Sequence, residues 1–227
     1  MVTTRITDDC MVSNRTRERG YLFPLYLYPN DLLSEGGKTV NLSPVLLTAL
    51  NEAHKQVTSP EKILCYIYSI LYAETYRSEY AEFLKSDFPR IPFTKDRNLF
   101  VKLAGLGNKL LDLHLLKSPE LDKPISRFQG KGNNRIEKEN YVEKENRVYI
   151  NNGQYFEGVE PKVWKYQIGG FQVLDKWLKD RKTRLLTTDD IRHYCRVATA
   201  QSKTIEIQQE IDELYPLVEK DVVTIAF

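Results

Sequence analysis

The stretch that most limits what this chain can fold into is EKILCYIYSILYAETYRSEY at 61–80, opened by Ser59-Pro60. Serine before a proline is an N-cap followed by a residue pre-set for the first helical turn. Between Ile63 and Ala73 the helix is apolar almost all round. A helix without a polar face has to be buried on every side, so it demands a larger body around it. Ser43-Pro44 opens a helix in the same way. After the break at DFPRIPF (87–93), Thr94 is expected to cap a third helix. There Leu99, Leu103, Leu106, Leu110 and Leu113 recur at spacings of four and three, a seam for packing on another helix. It is too short for an independent coiled coil, and Gly105 and Gly107 within it would permit close helix approach.

Beyond residue 117 the character changes. Residues 118–160 are rich in Gly, Asn and charge, with short strands expected at 125–128, 148–150 and 155–156. Upstream, Leu22–Tyr28 reads as an extended segment that Pro24 confines to an edge. Helical patterning returns near Val163, is interrupted at Gly169-Gly170, and resumes in FQVLDKWLKDR. Thr187, with Asp190 three residues on, caps a last long helix to about Leu214, and VVTIAF is a candidate final strand. The expected class is α+β: a mainly helical scaffold with a small, mostly antiparallel sheet and variable loops. The expected organisation is a junction segment at 1–30, a helical part at 43–117 and a mixed part at 118–227.

Most chemistry is excluded by spacing. His54, His114 and His193 have no Cys or His partner at a ligand spacing, so no metal site is expected. Cys10, Cys65 and Cys195 make neither a disulfide framework nor a CxxC pair. With no apolar leader and no long apolar run, a cytoplasmic protein is expected. No phosphate loop, GxGxxG or GxSxG occurs, nor an NPPY tetrapeptide or AdoMet-type glycine loop. No catalytic residue is therefore assigned. Glu160-Pro161-Lys162 has the E-x-K form of some nucleases, but the nearest upstream aspartate is Asp122, so a loop entering a helix is the simpler reading.

Charge supplies the positive signal. The chain holds 33 basic and 31 acidic residues, so any nucleic-acid face must come from clustering. KWLKDRKTR at 176–184 carries five basic residues and one acid, more than helix capping needs. Residues 123–147 carry seven basic and four acidic residues among Gly, Asn, Gln and Ser. Lysine and arginine neutralise phosphates, while Arg, Asn and Gln can pair with base edges. The candidate DNA-binding residues are Arg127, Lys131, Asn133, Asn134, Arg135, Lys162, Lys165, Lys176, Lys179, Arg181, Lys182 and Arg184. The plain alternative is a solvated charged hairpin.

Three blocks carry a resemblance: GYLFPLYLYP, ILCYIYSILYAETYRSEYAEFLKSDFPRIPF and VWKYQIGGFQVLDKWLKDRKTRLLTTDDIRHYCRV. In this order they are similar to the C-terminal region of Type ISP restriction-modification enzymes, single polypeptides related to the Type IIG group. ITDDCMVSNRTRERGYLFPLYLYP at 6–29 resembles the segment that joins the methyltransferase to that region. Residues 118–147 match least, which fits a segment carrying variable specificity. In the family one chain holds a nuclease, a helicase-like motor, an N6-adenine methyltransferase and a target recognition domain. The resemblance implies sequence-specific recognition of double-stranded DNA, with a methyltransferase domain as partner. AdoMet would be bound only by that domain, so this chain would neither methylate nor cut alone. Two rivals stay open: an interaction module binding through the leucine seam, and a Mg-dependent nuclease on Glu160 and Lys162.

Overall fold

Residues 2–4, 21–28 and 37–225 are described by the computed structural model; most of the expected junction segment lies outside them. The chain divides into two compact units: residues 1–111 with 208–227, and residues 112–207. The sequence placed the division after residue 117 and gave the whole C-terminus to the second part. In the structure residues 208–227 belong with the first unit, because Ile211, Tyr215, Val218 and Val223 are buried and join its core.

The first unit is helical. The strands β1 (Tyr26–Leu27) and β2 (Thr39–Val40) pair antiparallel. The helices follow as α1 (Pro44–His54), α2 (Pro60–Tyr72), α3 (Glu74–Glu79), α4 (Ala81–Ser86) and α5 (Arg97–His114). Ser59 caps α2 by accepting from the Lys62 amide at 3.4 Å. The helix stops where Ala73 turns extended (φ −62°, ψ 123°), so the expected single helix over 60–80 is broken at Ala73. Two buried tyrosines of this stretch hold the proline strap at 87–93: Tyr66 donates to the Pro92 carbonyl at 2.8 Å and Tyr76 to that of Arg90 at 3.0 Å. Burial pushes both phenols above their ordinary range. Asp96, not Thr94, caps α5: its Oδ1 accepts from the Asn98 and Leu99 amides. Thr94 instead accepts from the Asp96 amide and bridges to Val222, the only trace of the expected final strand among the described residues.

The five leucines of the seam are all buried. Gly107 is needed there, since a Cβ would stand 1.8 Å from the Cys65 carbonyl oxygen. Gly105 meets nothing within 4 Å and has no such role.

The second unit is built on one antiparallel sheet. β3 (Arg127–Gly130), β4 (Asn140–Val142), β5 (Arg147–Tyr149) and β6 (Gln154–Glu157) pair in the order β3-β6-β5-β4. Strand alternation divides its residues between two faces. Phe128, Phe156, Val148 and Tyr141 line the inner face by register. They pack with Ile136, Val159, Val163, Leu174, Leu178 and Tyr194 into one core. The helical pattern expected from near Val163, interrupted at Gly169-Gly170 and resumed through Arg181, is a short helix, a hairpin and a second helix. α6 (Pro161–Trp164) is a single turn; β7 (Gln167–Ile168) and β8 (Phe171–Gln172) form a hairpin; α7 (Val173–Lys179) follows. Gly169 and Gly170 adopt φ of 58° and 81°, the left-handed pair that a two-residue hairpin turn requires. The last helix, α8 (Thr188–Val218), starts at a reciprocal capping box. The Thr187 amide donates to Asp190 at 2.9 Å and the Asp190 amide to the Thr187 hydroxyl at 3.1 Å. Helices and antiparallel sheets together make the α+β class expected.

Candidate nucleic-acid interface

The two basic segments far apart in sequence meet in the second unit. Arg135 and Leu185 form an antiparallel bridge. Around it the Ile136 amide donates to the Arg184 carbonyl at 3.0 Å, the Leu186 amide to that of Asn134 at 2.9 Å, and the Thr183 amide to that of Ile136 at 2.8 Å. The result is a short two-stranded ribbon of 134–136 and 184–186. The segments that form it and lead into it, 130–136 and 181–186, hold Lys131, Arg135, Arg181, Lys182 and Arg184 and no acidic residue.

Local chemistry explains why the chain folds this way. α7 ends at Lys179 with Asp180 as its C-cap, and Thr183, at φ 70°, reverses the chain into the ribbon. On the other strand Gly130 has φ 96°, and a Cβ there would meet the Gly153 carbonyl oxygen at 1.9 Å, so only glycine fits. Asn134 is left-handed at φ 59°. A polar lock then fixes the loop. The Asn134 amide donates to Gln154 Oε1 at 2.8 Å, and Gln154 Nε2 donates to Asn134 Oδ1 at 2.7 Å. Asn151 Nδ2 donates to the Arg135 carbonyl at 3.0 Å. Gln154 is 2% exposed, so its amide is satisfied by the loop and not by water.

The twelve candidate residues therefore separate. Asn133 and Asn134 are candidate DNA-binding residues with hydrogen bonds inside the loop. Asn133 Oδ1 accepts from the Arg135 amide at 3.0 Å and Asn134 belongs to the Gln154 lock, so both shape the loop. Lys162 pairs with Glu160 at 3.2 Å, Lys165 with Glu143 at 3.3 Å, Lys176 with Asp180 at 2.9 Å and Lys179 with Asp175 at 2.6 Å. The last contact raises the Lys179 pKa, chiefly through the hydrogen bond to Asp175. Arg127 lies on the outer sheet face, in register with Glu157 and then Arg147. Arg181 lies 3.9 Å from the centre of the Trp177 ring and donates to the Trp177 carbonyl. Arg135 donates to the Thr183 carbonyl at 3.2 Å. Lys131, Lys182 and Arg184 are exposed and carry no ion pair among the described residues.

The pairing of Gln154 and Asn151 with the 134–135 loop was not legible in the sequence, and neither was Leu185, which stands 55% exposed beside Arg135. Asn-Asn-Gly-Gln at 151–154 carries a turn signal that could have marked a loop anchor; nothing in the sequence pairs it with Asn134. Glu160 of the E-x-K triplet precedes α6 and is spent on Lys162. No group of three His, Cys, Asp or Glu that could hold a metal occurs among the described residues. Cys195 is a buried thiol raised above its ordinary pKa by burial, and no described helix is long and apolar enough to cross a membrane.

The family model of the Type ISP C-terminal specificity domain matches residues 1–210. The chain belongs to this family. No curated protein matches it in sequence. Three solved structures share the domain's fold, each at 21% identity. The cryo-EM structure of a DrdV–DNA complex gives a TM-score of 0.67 over 82% of this chain and 21% of that one. The ATP-dependent Type ISP restriction-modification enzyme LlaBIII bound to DNA gives 0.61 over 83% and 13%. A nuclease-deletion mutant of the Type ISP enzyme LlaGI, in complex with a DNA substrate mimic, gives 0.54 over 77% and 14%. The specificity domain thus spans about a fifth or less of the length of these relatives.

Proposed function

We propose that this specificity domain binds double-stranded DNA and selects its target sequence, with the 130–136 and 181–186 segments at the centre of the contact. The observation that carries this reading is the ribbon: it joins five basic residues, with no carboxylate in either segment, on a backbone held by hydrogen bonds. Cations that no carboxylate neutralises can displace counterions from the phosphate backbone, which is the main source of affinity for duplex DNA. Phosphate contacts fix register, and sequence has to be read by groups reaching base edges. The family and the DNA-bound relatives of the same fold support the assignment.

Under this reading the chain performs no bond-making step. Its sequence has no AdoMet-type glycine loop and no NPPY tetrapeptide. Methyl transfer, with AdoMet and an extruded adenine, is assigned to a methyltransferase domain acting beside this one. The direct test is fluorescence anisotropy of the full chain on a duplex of random sequence, titrated at increasing salt. The expected outcome is binding that weakens linearly in log–log form, with a slope of about −0.9 per phosphate contact. Binding that persists unchanged to ~0.5 M salt would overturn the phosphate-clamp reading.

A further inference from the structure

The ribbon presents one side chain that phosphate binding does not explain. Ile136 and Leu186 are 0% and 4% exposed and point into the core. Strand alternation therefore sends their neighbours Arg135 and Leu185 to the outer side. The bonds from Ile136 to Arg184 and from Leu186 to Asn134 flank the bridge, which makes Arg135 and Leu185 a non-hydrogen-bonded pair. In that geometry opposed side chains approach most closely, with Cα atoms about 4.5 Å apart. Leu185 is 55% exposed, although five basic side chains and no acidic one lie in the two segments around it.

We propose that Arg135 and Leu185 form a single base-reading unit: the guanidinium addresses guanine O6 and N7 in the major groove while the leucine methyls contact the C5-methyl of a neighbouring thymine. The inference rests on the duplex-binding reading above and adds which residues carry sequence. A two-stranded ribbon is one of the two elements the major groove admits, and the groove edge is where a thymine methyl is exposed. Leucine has nothing to offer a phosphate, whereas a methyl contact in the groove covers it. Arg135 is held in place by Nη1, bonded to the Thr183 carbonyl, and by its own amide and carbonyl, bonded to Asn133 and Asn151. Its Nη2 and Nε have no partner among the described residues, which leaves a fork for a guanine. A side chain fixed before binding loses less entropy on making that contact.

The test is enrichment of binding sequences from a random duplex library by the full chain and by three variants, each first checked for an unchanged unfolding temperature. Wild type should enrich a motif with a G·C pair next to a T·A pair. Arg135→Ala should lose roughly 5- to 150-fold of discrimination at the guanine. Leu185→Ala should lose preference only at the adjacent thymine. Lys182→Ala should lower affinity for all sequences alike. Replacing that thymine by uracil deletes only the methyl; it should weaken wild type several-fold and leave Leu185→Ala unaffected. A Leu185→Ala motif identical to wild type, or equal uracil effects in both proteins, would overturn the inference. Duplex binding without any enriched motif would overturn it while sparing the phosphate clamp, and no duplex binding at all would overturn both. Loss of binding to a protein partner, with DNA preferences intact, would reassign Leu185 to an interaction surface and likewise overturn it.

Discussion

Helices α6 and α7 and the ribbon carry similar charge in one compact unit, yet their cations meet different neighbours. Lys162, Lys165, Lys176 and Lys179 each face a carboxylate within 3.3 Å, from Glu160, Glu143, Asp180 and Asp175. Lys131, Arg135, Lys182 and Arg184 face none among the described residues. Two of the helical pairs are at i,i+4, the spacing at which a helix brings side chains together without tertiary help. Exposed pairs of this kind contribute little to stability, but their positive charge is already compensated. Basic composition alone therefore does not locate an anion-binding surface. The segments 130–136 and 181–186 differ in holding no acidic residue, and Lys131, Arg135, Lys182 and Arg184 make no ion pair among the described residues.

The comparison can be broken or sharpened in order of expected effect. Asn134→Ala takes no charge from the ribbon, yet it leaves the buried Gln154 Nε2 without its acceptor and puts alanine at φ 59°. It should cost about 2–4 kcal/mol in urea unfolding and weaken duplex binding by loosening the loop. If binding held at full strength in the folded variant, a rigid ribbon would not be needed.

A second effect of similar size concerns pH. Burial holds the His114 imidazole down at about 4, with its Nε2 2.9 Å from the Thr204 hydroxyl. The folded chain keeps this histidine neutral, while the unfolded chain protonates it below about pH 6.5. The unfolded state then binds more protons. Stability should fall as pH drops from about 6.5 towards about 4, by on the order of 2–3 kcal/mol, and His114→Gln should flatten that slope. Thermal unfolding across this range checks it; an unchanged slope in His114→Gln would remove the imidazole from the account. Acid loss of DNA binding should follow unfolding, not ribbon charge.

A smaller effect separates the two regions directly. Asp175→Asn releases Lys179 from its partner and should strengthen duplex binding slightly, by less than about 1 kcal/mol at low salt. Weaker binding would show that Asp175 orders the lysine for its contact instead of withholding it.

Periodicity and capping chemistry made much of the fold legible. The all-round apolar helix, the Ser-Pro starts and the Thr187–Asp190 capping box depend on residues close in sequence, and all appear in the structure. The strand at Asn140–Val142 and the hairpin at Gly169-Gly170 were missed. The first is short and charge-flanked; the second has left-handed glycines that read equally as a helix interruption. At the site, both basic clusters were visible, but their meeting was not. The Arg135–Leu185 bridge and the Asn134–Gln154 lock join residues 50 and 20 apart, and no local pattern encodes such pairings. For the same reason the sequence marked Asn133 and Asn134 as DNA-binding candidates without showing their hydrogen bonds to the Arg135 amide and to Gln154.

The central claim, that the ribbon and not the helical cations holds DNA, is tested most directly by the salt dependence of duplex binding in two variants. One replaces Lys131, Lys182 and Arg184 by alanine; the other replaces Lys162, Lys165, Lys176 and Lys179. The ribbon variant should lose about 0.9 of log–log slope for each contact removed, and the helix variant should keep most of the wild-type slope. The reverse result, with the slope lost in the helix variant and kept in the ribbon variant, would contradict the account.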